Sequence, residues 1–118
     1  MFSDPISLTL NGVSKSLARI LTDGRNAVYQ TSDASVKLEI THVVAKATGR
    51  ITSTVKFTET LVVTNPIDST NDEDFQYLSI QFHRPKFGFA MTKVEQIAAM
   101  AVAWLTNANV DKIYGGEI

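Results

Sequence analysis

From Ile6 to Arg84 apolar and polar residues alternate with a period of two, and after Pro85 the period changes. Alternation of this kind predicts strands whose side chains point in turn to two faces of a sheet. Ile6-Ser7-Leu8-Thr9-Leu10 alternates strictly, Asn11-Gly12 supplies the two positive-φ positions of a type I′ turn, and Val13 to Ile20 returns antiparallel, giving an N-terminal hairpin. Thr22-Asp23-Gly24-Arg25 breaks the chain before a short strand from Asn26 to Thr31, and Ser32-Asp33 forms the next turn. Ser35 to Lys46 and Arg50 to Thr64 are two longer strands, joined through Ala47-Thr48-Gly49. The polar, acidic stretch 65–74 opens on Asn65-Pro66 and reads as an exposed loop. Phe75 to Arg84 is a last strand, ended by Pro85, which has no N–H to give to a ladder.

Beyond Pro85, Thr92-Lys93-Val94-Glu95 has the form of a capping box and leads into alanine-rich helical sequence to about Thr106. Asn107-Ala108-Asn109 interrupts it, and Val110 to Tyr114 forms a short second helical turn before Gly115-Gly116. The expected fold is α+β, an antiparallel β-meander with an N-terminal hairpin and a C-terminal helix. Its 118 residues suit a single domain, with the hairpin at about 6–20, the sheet at about 26–84 and the helical region at about 92–114. Val94, Ile97, Ala98, Ala101, Val102 and Leu105 form one helical stripe, yet Met100 and Trp104 lie toward another side. More than one helix face needs cover, from a partner subunit or from the C-terminal tail folding back.

Composition narrows the chemistry. The absence of cysteine removes disulfides, thiolate catalysis and cysteine-ligated metal sites. Eleven Lys and Arg against twelve Asp and Glu give a net charge of −1, so any surface for nucleic acid has to come from local segregation of charge. The longest apolar run, Ile97 to Leu105, is too short to span a bilayer, and Met1-Phe2-Ser3-Asp4-Pro5 lacks the features of an export signal. No nucleophile elbow, phosphate loop, dinucleotide fingerprint or zinc-protease helix is present, so neither an enzyme nor a cofactor or metal site is expected.

Splitting the long strands by face gives one apolar set, Val36, Leu38, Ile40, His42 and Val44 with Ile51, Ser53, Val55 and Phe57, and with Leu78, Ile80 and Phe82. His42 on that side reads as a hydrogen-bonded core histidine. The opposite set holds Lys37, Glu39, Thr41 and Val43, then Thr52, Thr54, Lys56, Thr58 and Thr60, and then Tyr77, Ser79, Gln81 and His83, with Phe75 not fitting the pattern strictly. Two lysines, a stacking ring and neutral hydrogen-bonding groups on one face could serve as an RNA platform. The same pattern also describes the wet side of any amphipathic sheet.

Order, spacing and length together resemble the single-stranded RNA bacteriophage coat proteins. The pieces that carry the resemblance are Ser7-Leu8-Thr9-Leu10-Asn11-Gly12-Val13, Val36-Lys37-Leu38-Glu39-Ile40-Thr41 with Thr54-Val55-Lys56-Phe57, and Tyr77-Leu78-Ser79-Ile80-Gln81-Phe82. The resemblance implies a homodimer whose last strands pair edge to edge and whose helices interlock, assembly into an icosahedral shell, and residence in the virion after assembly in the host bacterial cytoplasm. It implies that the polar sheet face binds a viral RNA hairpin, for packaging and translational repression, through Lys37, Glu39, Thr41, Thr54, Lys56, Thr58, Tyr77, Ser79 and Gln81. It further implies that residues 65–74 make contacts around the symmetry axes. Val43 stands where a basic residue would be welcome, and Lys46, Arg50 or Arg84 could supply that charge. The rival reading is a small binding or regulatory domain that holds a small molecule or peptide between helix and sheet.

Overall fold

The computed structural model describes residues 2, 4–64 and 66–117, so Met1, Ser3, the Asn65 that opens the expected loop, and Ile118 lie outside the described residues. Six strands follow one another as β1 (Ile6–Leu10), β2 (Val13–Asp23), β3 (Asn26–Gln30), β4 (Val36–Val44), β5 (Ile51–Thr64) and β6 (Asn71–Arg84). They lie in that same order in one antiparallel sheet, a meander with β1 and β6 at its edges. Two helices follow, α1 (Met91–Trp104) and α2 (Asn107–Tyr114). The chain divides into a sheet unit running through His83 and a helical unit from Arg84 onward.

The alternating pattern fixes which sheet face is filled. β2 pairs with β1 along its first half, from Val13 to Leu17, and with β3 along its second, with a register irregularity between Arg19 and Leu21. Such an irregularity bends a strand and increases its twist. Leu17 and Tyr29 are fully enclosed, and with Val36, Leu38 and Ile40 they form the core, against which Ile6, Leu8, Ala27, Val55 and Phe57 pack. Burying each such aliphatic side chain stabilises by about 1.5–3 kcal/mol relative to exposure. Arg19 ties the hairpin down, since its Nε donates to Tyr29 Oη at 3.2 Å and its backbone N–H to Asp4 Oδ1 at 3.0 Å.

The core ends at Ile40. His42, expected to be buried, does hydrogen-bond, its Nδ1 lying 2.9 Å from Ser53 Oγ, but the residue itself is exposed. Val44 beyond it is exposed too.

Two boundaries differ from expectation. Asn71 and the acidic residues Asp72 to Asp74 are not loop but the first part of β6, which leaves a shorter turn before it. In that turn Asp68 Oδ1 accepts from the Thr70 N–H at 3.1 Å and Thr70 Oγ1 at 2.7 Å, and these bonds hold the Asp68 carboxyl below the ordinary carboxylate range. Thr64 Oγ1 then donates to Asn71 Oδ1 at 2.8 Å, closing the hairpin where polarity alone suggested open chain.

At α1 the expected capping box does not form. The helix starts at Met91 with Ala90 as an N-cap that offers no side chain, which places Thr92 inside the first turn. The sequence 107–109, expected to interrupt helix, is instead the first turn of α2, capped by Thr106 Oγ1 accepting from the Asn109 N–H at 3.4 Å. The Trp104 carbonyl, left without a helical donor at the end of α1, accepts from the Thr106 N–H at 2.8 Å and from Asn109 Nδ2 at 2.6 Å. No described residue of either helix is buried: Ile97, Met100, Val102 and Trp104 are all more than half exposed. The tail does not fold back over them, since Ile113 and Tyr114 are themselves exposed.

The β3–β4 turn is organised by one carboxylate. Asp33 Oδ1 accepts from Thr31 Oγ1 at 2.7 Å, Ser35 Oγ at 2.8 Å and the Ser35 N–H at 3.1 Å, while Ala34 takes φ +62°. These donors, the Thr31 hydroxyl first, lower the Asp33 pKa to about 2. A carboxyl whose folded pKa lies below its unfolded value adds stability above the unfolded value and loses it as pH falls toward the folded one. A carboxyl NMR titration should therefore find the Asp33 midpoint near 2. Asp33→Asn should destabilise at neutral pH, and the deficit relative to wild type should shrink on acidification below about 4.

Candidate nucleic-acid interface

The face opposite the core is assembled by the β4–β5 register. Lys37 pairs with Thr58, Glu39 with Lys56, and Thr41 with Thr54. Opposite residues of an antiparallel pair share a face, so these six candidates stand together by backbone geometry. β6 joins them: Lys56 Nζ sits 4.3 Å from the centre of the Tyr77 ring, and Thr52 Oγ1 lies 2.9 Å from His83 Nδ1. Ser79 and Gln81 fall between Tyr77 and His83 with the same alternation, and both are exposed. All nine residues singled out by sequence thus lie on one face.

The electrostatics are more mixed than a row of cations. Lys37 Nζ forms an ion pair with Glu39 Oε1 at 3.0 Å, with both side chains about a third exposed. Exposed pairs of this kind contribute about 0–1 kcal/mol to stability. Their greater effect is to cancel charge, since Glu39 also stands opposite Lys56. Lys56 turns instead to the π face of Tyr77, an attraction worth about 0.5–1 kcal/mol at an exposed site.

Phe75, an apolar residue that does not fit the polar pattern strictly, belongs to this face. Its ring stacks on Tyr77 with centroids 6.4 Å apart and planes 19° from parallel, and both rings are more than half exposed. The signal in the sequence is the spacing of two between Phe75 and Tyr77. It is masked by the acidic residues before it, which read as loop.

Arg50 also joins the face, its Nε donating to His83 Nε2 at 2.9 Å. Arg50 is one of the three bases offered in place of Val43, and this bond ties it to the surface. On the opposite side, Phe2, Arg19, Arg25, Tyr29, Ile40 and His42 line a cleft of about 290 Å³, at the small end of ligand pockets.

Thr58 Oγ1 is buried with no hydrogen-bond partner among the described residues. A buried hydroxyl without a partner costs stability that an apolar isostere does not. Thr58→Val should be neutral or stabilising by up to about 1 kcal/mol in denaturant unfolding. A marked loss would mean that the hydroxyl is bonded in solution.

Both the sheet and the order of its elements have counterparts in known proteins. Residues 3–81 match the family model described as phage phiCb5, coat protein. Among solved structures the chain is similar to the virus-like particle of bacteriophage AVE019, with TM-score 0.83 and 16% identity over 98% of this chain and 97% of that one. It is similar also to the virus-like particle of Beihai levi-like virus 21, with TM-score 0.72 and 11% identity over 94% and 91% of the two chains. The capsid protein of bacteriophage GA gives TM-score 0.66 and 17% identity over 98% and 95%. Comparison with curated protein sequences finds no match.

Proposed function

The chain belongs to the phage phiCb5 coat protein family, and from that premise we propose that it pairs into dimers, assembles an icosahedral shell and binds viral RNA on its polar sheet face. It is a structural protein of the single-stranded RNA bacteriophage type, a component of the virion capsid and not an enzyme. The helix-on-sheet binding domain considered as a rival gives way to this family membership. Assembly into particles is described for the similar AVE019 chain, and the proposal extends it to this one.

The dimer is supported by what the isolated chain leaves uncovered. β6 is an edge strand of 14 residues with Phe75, Tyr77, Leu78 and Ile80 exposed along it, the kind of edge that soluble chains normally protect. Its charges are segregated, with Asp72, Glu73 and Asp74 at the first end and Arg84 at the last. Two copies of β6 paired antiparallel would set the acidic end of each beside the basic end of the other, whereas parallel pairing would align like charges. The apolar helix residues are the second surface in want of a partner, and helices interlocking across the dimer would cover them.

Charge segregation makes this testable. Reversing Asp72 and Asp74 to lysine should weaken the dimer, as should Arg84→Glu alone, and combining all three should restore much of the loss. Sedimentation at falling concentration reads the outcome. Folded monomers of the wild type at nanomolar concentration would argue directly against the arrangement.

RNA binding is supported chiefly by the adjacency of Lys56 and the Tyr77–Phe75 ring pair on a face rich in neutral hydrogen-bonding groups. A cation beside stackable rings matches what single-stranded nucleic acid offers, a phosphate and a base face in alternation. Replacing Lys56 and Tyr77 together with alanine leaves the apolar alternation intact, so folding should survive. Affinity for a labelled oligouridylate should fall by roughly 1–3 kcal/mol through lost stacking. The salt dependence should flatten because fewer counterions are released. Dimers with unchanged affinity and salt slope would place recognition elsewhere. Packaging and translational repression of a specific hairpin extend this same reading to the viral genome.

A further inference from the structure

The polar face ends, beyond Thr54 and Gln81, in a cluster outside the nine residues assigned to RNA. Arg50 Nε donates to His83 Nε2 at 2.9 Å, and His83 Nδ1 lies 2.9 Å from Thr52 Oγ1. The directions of these bonds fix one another. A guanidinium nitrogen has only hydrogens to offer, so His83 Nε2 must be the bare, accepting nitrogen of a neutral ring. The ring proton is then on Nδ1 and points to the Thr52 hydroxyl, which acts as acceptor. Thr52 thus holds the ring, and the ring holds the arginine.

The arginine is held by one flank. Its bond to His83 uses Nε and leaves the fork formed by the two terminal nitrogens without a hydrogen bond among the described residues. That fork is the part of a guanidinium that grips the two non-bridging oxygens of a phosphate. No ion pair neutralises Arg50 among the described residues, in contrast to Lys37, which Glu39 engages. A long exposed side chain fixed in this way has already lost rotamer freedom before any ligand arrives, and that pre-organisation favours binding.

We propose that Arg50 is a phosphodiester-binding residue at the far end of the RNA face, and that His83, itself steadied by Thr52, is the residue that positions it. This role rests on the reading of the polar face as an RNA platform. Six residues of strand separate Thr52 from Thr58 and His83 from Tyr77, a span of about 20 Å. The face then has two unlike ends, rings that stack on bases at one and a forked cation that anchors the backbone at the other. A strand of RNA lying along β5 and β6 would meet both.

The test measures binding of a labelled oligouridylate to the full-length dimer, at several salt concentrations. Arg50→Ala should weaken binding roughly tenfold or more, as the loss of a charge-assisted hydrogen bond does, and lower the salt slope by about one ion. Arg50→Lys should restore the slope but not the full affinity, because an ammonium lacks the fork. His83→Leu should weaken binding several-fold in wild type and have no effect in the Arg50→Ala background. His83→Gln should restore it, since an amide can accept from Arg50 and donate to Thr52 as the neutral ring does. If His83→Leu does not fold, Thr52→Val removes the acceptor that steadies the ring and should weaken binding in the same Arg50-dependent manner.

Full affinity in Arg50→Ala, with Lys56 and Tyr77 substitution still harmful, overturns the role of Arg50 and leaves the RNA face standing. If neither set of substitutions weakens binding, both readings fall. A His83→Leu loss that persists without Arg50, or that glutamine does not repair, overturns the positioning role.

Discussion

The register of β4 against β5 is the constraint from which the rest of the sheet follows. Nine consecutive pairs, from Val36 with Glu59 to Val44 with Ile51, run without a bulge. Because side chains alternate, a slip of one residue would exchange Leu38 and Ile40 for Lys37 and Glu39 and turn the charged set into the core. Burial of Leu38 and Ile40 beside Tyr29 and Leu17 opposes that slip strongly. The position of every polar residue on the other face is thus a by-product of where the apolar ones are buried. A polar surface of this kind needs no separate machinery to organise it. It is set by the core beneath.

That dependence explains how much of the fold is legible in the chain itself. Strand order, the N-terminal hairpin and the common face of Lys37 through Gln81 all follow from period two, which is a local signal. The limits are equally physical. Asn71 to Asp74 read as loop because acidic residues disfavour strands on average, yet closure against β5 recruits them, with Asn71 accepting from Thr64. The capping box at Thr92 is outweighed by a helix that starts two residues earlier, while the true side-chain cap, Thr106, stands where the first helix is expected to end. Sequence offers Arg50 only as one of three bases, because its tie to His83 spans 33 positions that no local pattern connects.

The likeness to other phage chains fits this physical account. At 11–17% identity to three chains from phage particles and capsids, the protein still superposes on them with TM-scores from 0.66 to 0.83. Most positions in such a sheet are constrained only to be apolar or polar on the correct side, and many residues satisfy that demand. Cross-strand contacts such as Lys56 on Tyr77 or Arg50 on His83 are of another kind, since they depend on residue identity. They are where one member of a divergent family can differ from the next.

The ammonium resting on Tyr77 has a consequence for energetics when a base arrives. The ring's negatively polarised face is already occupied, 4.3 Å from Lys56 Nζ, so a base that stacks there evicts a cation. The evicted ammonium is on a flexible stem and close to the incoming backbone, free to move from ring to phosphate. If the polar face binds RNA as proposed, capture at this spot is an exchange reaction, in which each new contact replaces an old one. Its favourable free energy is the difference between the two sets. On that proposal such a surface would be temperate toward any one nucleotide, while many copies within a shell, acting on one long RNA, would supply the grip by multiplicity.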